Sequence, residues 1–229
     1  QTLGGIATDE CGRAVIGSWS RWFTGLYAAG DAACSGLNGA GTLPGNRLLD
    51  ALSGGSSSGN HASEWVKGQT FSNTENLIAS LESCEANFTA RFSGESSDTV
   101  QRVGALNLKL LSIAAKFTAA PNSSDDLSRL LQELEQAELS AESIHVDQQS
   151  LIANTNFAGL LRIQAGIRLL TASVRASLAR NESRGVHQRS DFLEENSELL
   201  HHITVDNDAN IGTLALRKGQ KDNWILTPQ

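Results

Sequence analysis

From about residue 70 onward, apolar residues recur every three or four positions; before it they come in short runs broken by glycine. Leu127, Leu130, Leu131 and Leu134 form one helical stripe, and Leu160, Leu161, Ile163, Ile167, Leu170, Val174 and Leu178 form a longer one. This spacing predicts helices over 76–92, 98–117, 124–139 and 149–180. The stripes are too wide and too short for a heptad seam, so a compact bundle is expected rather than a coiled coil. Ser124, Asp125 and Asp126 open the third of these helices with acidic side chains, which complement the positive end of a helix. Beyond Arg189 the chain reads as a polar tail with short strands over 202–205 and 213–217.

The opening third has a different character. Gly4, Gly5, Gly12, Gly17, Gly25, Gly30, Gly36, Gly39, Gly41 and Gly45 punctuate it, marking sharp turns and close approaches of backbone. Gly25 to Asp31 reads as a short buried strand ending in a tight turn with an acid just beyond, where open α/β sheets hold ligands. A helix is expected to start at Asn46 as its cap and to run toward Trp65, with Leu48, Leu49 and Leu52 as its inward face. Its middle, Ser53 to Gly59, is poor helix material and needs tertiary packing to hold it. The fold class is therefore α+β: a partial α/β region over 1–70, a helical bundle over 71–190 and an irregular or β tail over 191–229.

A chain of 229 residues with 40% hydrophobic and 19% charged side chains can bury a core. Its net charge of -7 leaves no broad basic surface, which disfavours nucleic acid and an anionic membrane as partners. No apolar run reads as a membrane span, so any attachment is expected to come through partners. Cys11, Cys34 and Cys84 form no CxxC pair and read as inert, partly buried thiols in a reducing compartment. Three Asn-x-Ser/Thr matches, at Asn87, Asn122 and Asn181, read as chance in a Ser-rich chain. With no Met and Gln1 first, the chain is expected to be a cut, trimmed or separately processed product. There is no Gly-x-Ser-x-Gly elbow, no phosphate-binding Gly-x-x-x-x-Gly-Lys-Ser/Thr loop and no His-Glu-x-x-His, which removes the common hydrolase and nucleotide-triphosphatase readings. His201 and His202 are adjacent, so a strand sends them to opposite faces and no metal site is expected there.

Two motifs carry more. Gly4-Gly5-Ile6-Ala7-Thr8-Asp9, then Gly25 to Asp31, then Gly36-Leu37-Asn38-Gly39-Ala40-Gly41-Thr42-Leu43-Pro44-Gly45-Asn46-Arg47-Leu48 come in one order, and Ala179 to Phe192 follows far downstream. Together they resemble the flavoproteins of succinate dehydrogenase and fumarate reductase, with L-aspartate oxidase as a more distant relative. His187-Gln188-Arg189-Ser190-Asp191 leans toward the succinate and fumarate enzymes. The resemblance implies FAD, shared with a second polypeptide that carries the N-terminal FAD-binding βαβ unit and the capping region with its proton-donating Arg. It also implies iron-sulfur and membrane-anchor subunits as further partners. The place implied is peripheral, on the matrix side of the mitochondrial inner membrane or the cytoplasmic side of a bacterial one.

Residue by residue, the resemblance makes Asp31, Asn46, Arg47 and Leu48 cofactor-binding and Thr42 substrate-binding. Three of these positions depart from the family pattern. Asp31 stands for a Glu that binds flavin sugar hydroxyls, keeping the charge with a shorter reach. Asn38-Gly39-Ala40-Gly41-Thr42 stands for His-Gly-Ala-Asn-Arg, so a cation that grips a substrate carboxylate gives way to a hydroxyl. Arg47 stands for a Ser beside the flavin. Two readings of the loop remain: flavin contact kept, or a packing turn kept after flavin binding was lost. Around Glu182, the favoured reading is a helix-terminating ion network of Arg180, Glu182, Arg184, Arg189 and Asp191, with Gly185 as left-handed C-cap and His187 beneath it.

Overall fold

A computed structural model describes residues 4–70, 74–93, 102–119, 121–144, 150 and 152–216. The architecture is α+β, as the sequence pattern implies. The chain divides into two compact units: one of 1–70 with 180–188 and 193–229, the other of 71–179 with 189–192.

In the first unit, β1 (Ile6–Ala7) pairs in parallel with β4 (Ala33–Cys34), and β2 (Arg13–Ile16) pairs antiparallel with β3 (Ser18–Tyr27) through two register shifts. The turn from β1 to β2 is fixed by Asp9. Its buried carboxylate accepts from the Cys11 amide at 2.9 Å, the Arg13 amide at 3.0 Å and Arg13 Nε at 2.6 Å. Arg13 then lies 4.1 Å over the Trp22 ring, a cation–π contact that ties the two strands. β5 (His201–Val205) and β6 (Ile211–Ala215) form a regular hairpin in this same unit. Asp206 sets its turn by accepting from the Asp208 and Asn210 amides.

α1 (Asn46–Val66) runs unbroken through the Gly- and Ser-rich stretch that propensity disfavours. The small residues are the reason it packs. An added Cβ on Gly12 would fall 1.8 Å from Ser58 Oγ, and one on Gly30 would fall 3.0 Å from the Ala51 Cβ. Ser57 Oγ also donates to the Glu10 carbonyl at 3.1 Å. Close approach to the strands thus offsets the weak propensity of the helix.

Several expectations are corrected here. Gly45, at φ 92, and not Asn46, is the N-cap residue; Asn46 is the first helical residue. Leu48, Leu49 and Leu52 do not face inward and are 66%, 66% and 65% exposed. The segment from Gly25 is no buried strand: β3 ends at Tyr27, Leu26 is exposed, and Gly30–Ala32 is a separate 3-10 turn. Cys11 and Cys34 are half-buried as expected, but Cys84 is exposed.

In the second unit, α2 (Thr74–Ser93) precedes α3 (Val103–Thr118), α4 (Ser124–Glu142) and α5 (Thr155–Ala179). Ser123 caps α4 in a reciprocal capping box with Asp126. Leu127, Leu130 and Leu134 of α4 meet Leu106 and Ile113 of α3 and Leu160, Ile163 and Ile167 of α5 in one buried cluster. Leu161 falls outside the stripe assigned to it and is half-exposed. α5 is long and apolar enough to cross a membrane by length and composition alone, which the sequence reading missed. Leu160, Ile163, Ile167 and Val174 of this helix lie in the core of the bundle, while Leu169 on the same helix is exposed. The expected starts at Asp98 and Gln149, and the strand end at Arg217, lie outside the described residues.

Candidate functional site

The candidate site is the start of α1 with the turns that lead into it. Gly30, at φ 61, sits so close to Ala51 that the following residue, Asp31, is carried to the helix. Asp31 Oδ1 lies 3.5 Å from Arg47 Nε, with the two side chains 72% and 51% exposed. An ion pair this open contributes at most about 1 kcal/mol. Arg47 stands in a first turn with no acidic residue and no side-chain cap, where the helix end is already positive. Asp31 is thus its local counter-charge.

The loop before α1 spends its polar side chains internally. Asn46 Nδ2 donates to Asn38 Oδ1 at 3.0 Å, and Thr42 Oγ1 donates to the Gly39 carbonyl at 2.8 Å. Thr42 therefore keeps acceptor capacity but has committed its single proton. Leu48 lies next on the helix, exposed. The structure brings Asp31 to Arg47 and Asn46 to Asn38, while the Thr42 hydroxyl is hydrogen-bonded to Gly39 instead.

The downstream motif is not one network but two. In the first unit, Glu182 is fully buried and accepts from Arg180 Nη1, from Arg184 Nε at 3.1 Å and Nη2 at 3.0 Å, and from the Asn196 amide at 2.9 Å. Arg180 continues to the carbonyls of Leu199 and His201, so the cluster fastens the lead into β5. In the second unit, Arg189 is 1% exposed and grips Asp191 with Nε at 2.8 Å and Nη2 at 2.7 Å. Its Nη1 donates to the Ser177 carbonyl at 2.9 Å, while Asp191 Oδ2 accepts from the Ser124 amide at 2.8 Å. A cation thus meets the C-terminal carbonyls of α5 and an anion meets the first amide of α4, each matching its helix dipole. Gly185 is left-handed at φ 58, yet it forms a tight turn between Arg184 and His187 and does not cap α5, which ends at Ala179. His187 Nε2 lies 3.1 Å from the Arg180 carbonyl. The sequence named these residues but not their division, because nothing local tells Glu182 and Asp191 which arginine each will meet.

Burial pushes the Glu182 carboxyl up, but the bonds from Arg184, the Asn196 amide and Arg180 outweigh it and leave its pKa below the ordinary value of 4.5. Arg189 holds Asp191 well below the usual carboxylate range. A depressed folded-state pKa gives stability that is present above the unfolded value and is lost as pH falls through the folded one. Acid should therefore weaken both units. Denaturant midpoints are expected to fall between about pH 5 and about pH 2, and Glu182→Gln is expected to flatten part of that slope; an unchanged slope over that range would refute the assignment.

Comparison with known proteins decides the family. The family described as the fumarate reductase flavoprotein C-terminal region matches residues 109–224, and the FAD binding domain family matches residues 1–48. The chain belongs to the succinate dehydrogenase and fumarate reductase flavoprotein family. It is 26% identical over 215 residues to the fumarate reductase flavoprotein subunit of Mycobacterium tuberculosis, covering 93% of this chain and 36% of the relative. It is also 26% identical over 222 residues to the 8-methylmenaquinol:fumarate reductase flavoprotein subunit of Wolinella succinogenes, covering 96% and 35%. Among solved structures, an E. coli quinol fumarate reductase aligns with a TM-score of 0.82 at 18% identity, over 98% of this chain and 37% of that one. That likeness carries the fold. The chain spans about a third of the length of the curated relatives it matches.

FAD is the cofactor to which the family and the match over residues 1–48 point. The residues at the start of α1 fit such a group. Gly39, Gly41 and Gly45 have open space where a Cβ would stand, so a flat ring edge can approach the backbone. The first turn of α1 has no side-chain cap and no acidic residue of its own, and its Arg47 offsets the Asp31 carboxylate beside it.

Proposed function

We propose that this chain is the C-terminal section of a split or truncated FAD-dependent flavoprotein of the succinate dehydrogenase and fumarate reductase type. Its role is to close one side of the flavin site and to assemble with the polypeptide that bears the remaining FAD-binding and capping regions. Residues 1–70 are the remnant of the FAD-binding domain, 71–190 the helical domain and 191–229 the tail. The observation that carries this reading is the meeting of Asp31 and Arg47 beside an uncapped helix start, inside the segment matched to an FAD-binding domain. Asp31, Asn46, Arg47 and Leu48 would hold the cofactor, and FAD when bound supplies two-electron transfer with a dicarboxylate. Iron-sulfur and membrane-anchor subunits, and a peripheral place on the inner membrane, belong to the same proposal.

Within it, this chain's residues do limited work. Asp31 accepts hydroxyl donors, Arg47 offsets negative charge, and the 36–45 loop excludes water from one edge. Thr42 provides a single neutral contact where a guanidinium would provide two charge-assisted bonds of about 1.5–3 kcal/mol each. That deficit, with the Thr42 hydroxyl already donated to Gly39, favours a second reading: a non-catalytic structural subunit descended from such a flavoprotein.

The test is flavin content and turnover of the native assembly. Bound FAD that falls at least tenfold on Asp31→Ala supports the first reading, and an assembly without flavin absorbance rejects it. Thr42→Arg is expected to strengthen binding of a dicarboxylate such as malonate, read by the shift it causes in the flavin spectrum. No shift in a flavin-loaded Thr42→Arg assembly would favour the structural reading.

A further inference from the structure

The loop that leads into α1 holds the one Asn-Gly pair in the sequence, Asn38-Gly39. Every other asparagine is followed by a residue with a side chain. Asn38 is exposed and has φ 66 and ψ -53, the geometry of a tight turn that is rare and strained, closed by a bond from the Gly39 amide to the Leu37 carbonyl at 2.7 Å. Nothing lies within 4 Å of where a Gly39 Cβ would stand, so the backbone there is uncrowded. Asn46 Nδ2 donates to Asn38 Oδ1 at 3.0 Å. That oxygen is the one on which negative charge collects when a nucleophile adds to Asn38 Cγ.

We propose that Asn38 is a self-modification site, at which the Gly39 amide closes on the Asn38 side chain and converts it to aspartate and isoaspartate. The Gly39 nitrogen gives its proton to hydroxide and forms a bond to Asn38 Cγ. The bond from Cγ to Nδ2 breaks, and the leaving nitrogen takes a proton from water and departs as ammonia. Water then adds to either carbonyl of the cyclic imide, which opens to aspartate or to isoaspartate. No electrons change hands, and water is the co-reactant. Asn46 is the positioning residue, because its bond to Oδ1 strengthens as that oxygen becomes anionic in the tetrahedral intermediate. Opening the bond to Leu37 frees the Gly39 nitrogen and releases the strain at Asn38, so the turn opposes the attack only weakly. The inference goes beyond the function proposed above and needs only the residues of this loop. Its product places a new carboxylate in the loop before the first turn of α1, which has no side-chain cap of its own.

The experiment holds the native protein in mildly alkaline buffer, digests samples with trypsin over time and follows each asparagine by mass spectrometry, with isoaspartate scored by an isoaspartyl methyltransferase. Cleavage after Arg21 and Arg47 gives a peptide that contains Asn38. Asn122 and Asn196 are internal comparators: each precedes a serine, and each holds backbone, Asn122 Nδ2 donating to the Phe117 carbonyl and Asn196 Oδ1 accepting from the Glu198 amide. Asn38 is expected to be lost roughly tenfold faster than either, faster still as pH rises, with isoaspartate appearing at that position. Asn46→Ala is expected to slow the loss about fivefold, as removal of a hydrogen bond to a developing charge should. Gly39→Ala, whose methyl group meets open space, is expected to slow it roughly tenfold by crowding the attacking nitrogen. If Asn38 is lost no faster than Asn122 and Asn196, the fold protects the turn and the proposal is overturned. It is equally overturned if folded Asn46→Ala reacts at the wild-type rate, since the reactivity then belongs to the dipeptide and not to the site. Wild-type loss in Gly39→Ala would show that the Gly39 nitrogen is not the nucleophile.

Discussion

Replacing Glu182 by Ala is expected to destabilise the unit that holds it by about 3–5 kcal/mol, measured by urea denaturation. Glu182 is fully buried, and its two oxygens answer Arg180, Arg184 and the Asn196 amide at once. Removing it leaves two guanidinium groups, each under a fifth exposed, without their shared counter-charge. Glu195 stays on the rim at 2.9 Å from Arg184 and compensates only in part. Glu182→Gln keeps the shape and loses the charge, so it should fall between the wild type and Glu182→Ala. An Ala variant within about 1 kcal/mol of wild type would show that solvent reaches the cluster and that burial is not what makes it costly.

Gly12→Ala should be the next most damaging change in that unit. Gly12 has φ 73, and a Cβ there meets Ser58 Oγ at 1.8 Å, Ser58 Cβ at 2.9 Å and the Ala28 carbonyl at 3.1 Å. Overpacking of this kind costs about 1–3 kcal/mol, and the left-handed backbone adds about 1–2 kcal/mol for a residue with a side chain. The two causes separate in a double-mutant cycle. Ser58→Ala removes the closest atom, a buried hydroxyl without a hydrogen-bond partner among the described residues, and is expected to be neutral or mildly stabilising alone. In that background Gly12→Ala should recover part of the overlap cost and none of the backbone cost. Full additivity would mean that α1 and the turn at Gly12 are not in contact in solution.

These two residues also mark the limit of sequence reading. Glu182 was recognised as an ion-network residue because Arg180 and Arg184 flank it, but the split into one cluster around Glu182 and another around Arg189 was not visible. The partners of each, Asn196, Leu199, His201, Ser124 and Ser177, lie between 12 and 65 residues away in sequence, and no local pattern ranks them. The helices of the second unit were legible because one side of each is apolar over several turns, and the start of α4 and the ends of α3, α4 and α5 lie within about three residues of those expected. The strand expected over 202–205 appears as β5, since alternating apolar residues between turn residues have few other uses.

α1 shows the opposite case. Its existence was read from the leucines, and the leucines then proved to be on the outer side. Motif order marks Asp31, Asn46, Arg47, Leu48 and Thr42, but the pairing of Asp31 with Arg47, Asn46 with Asn38 and Thr42 with Gly39 is set by the tertiary fold.

The sequence alone made the family resemblance, the helices of the second unit and the β5 strand legible, because periodicity and motif order are properties of neighbouring residues. Tertiary structure decided which side of α1 is inner and which acid meets which arginine. Those outcomes depend on how closely distant backbones approach, and at Gly12, Gly30 and Ser58 that separation is set by contacts between segments tens of residues apart.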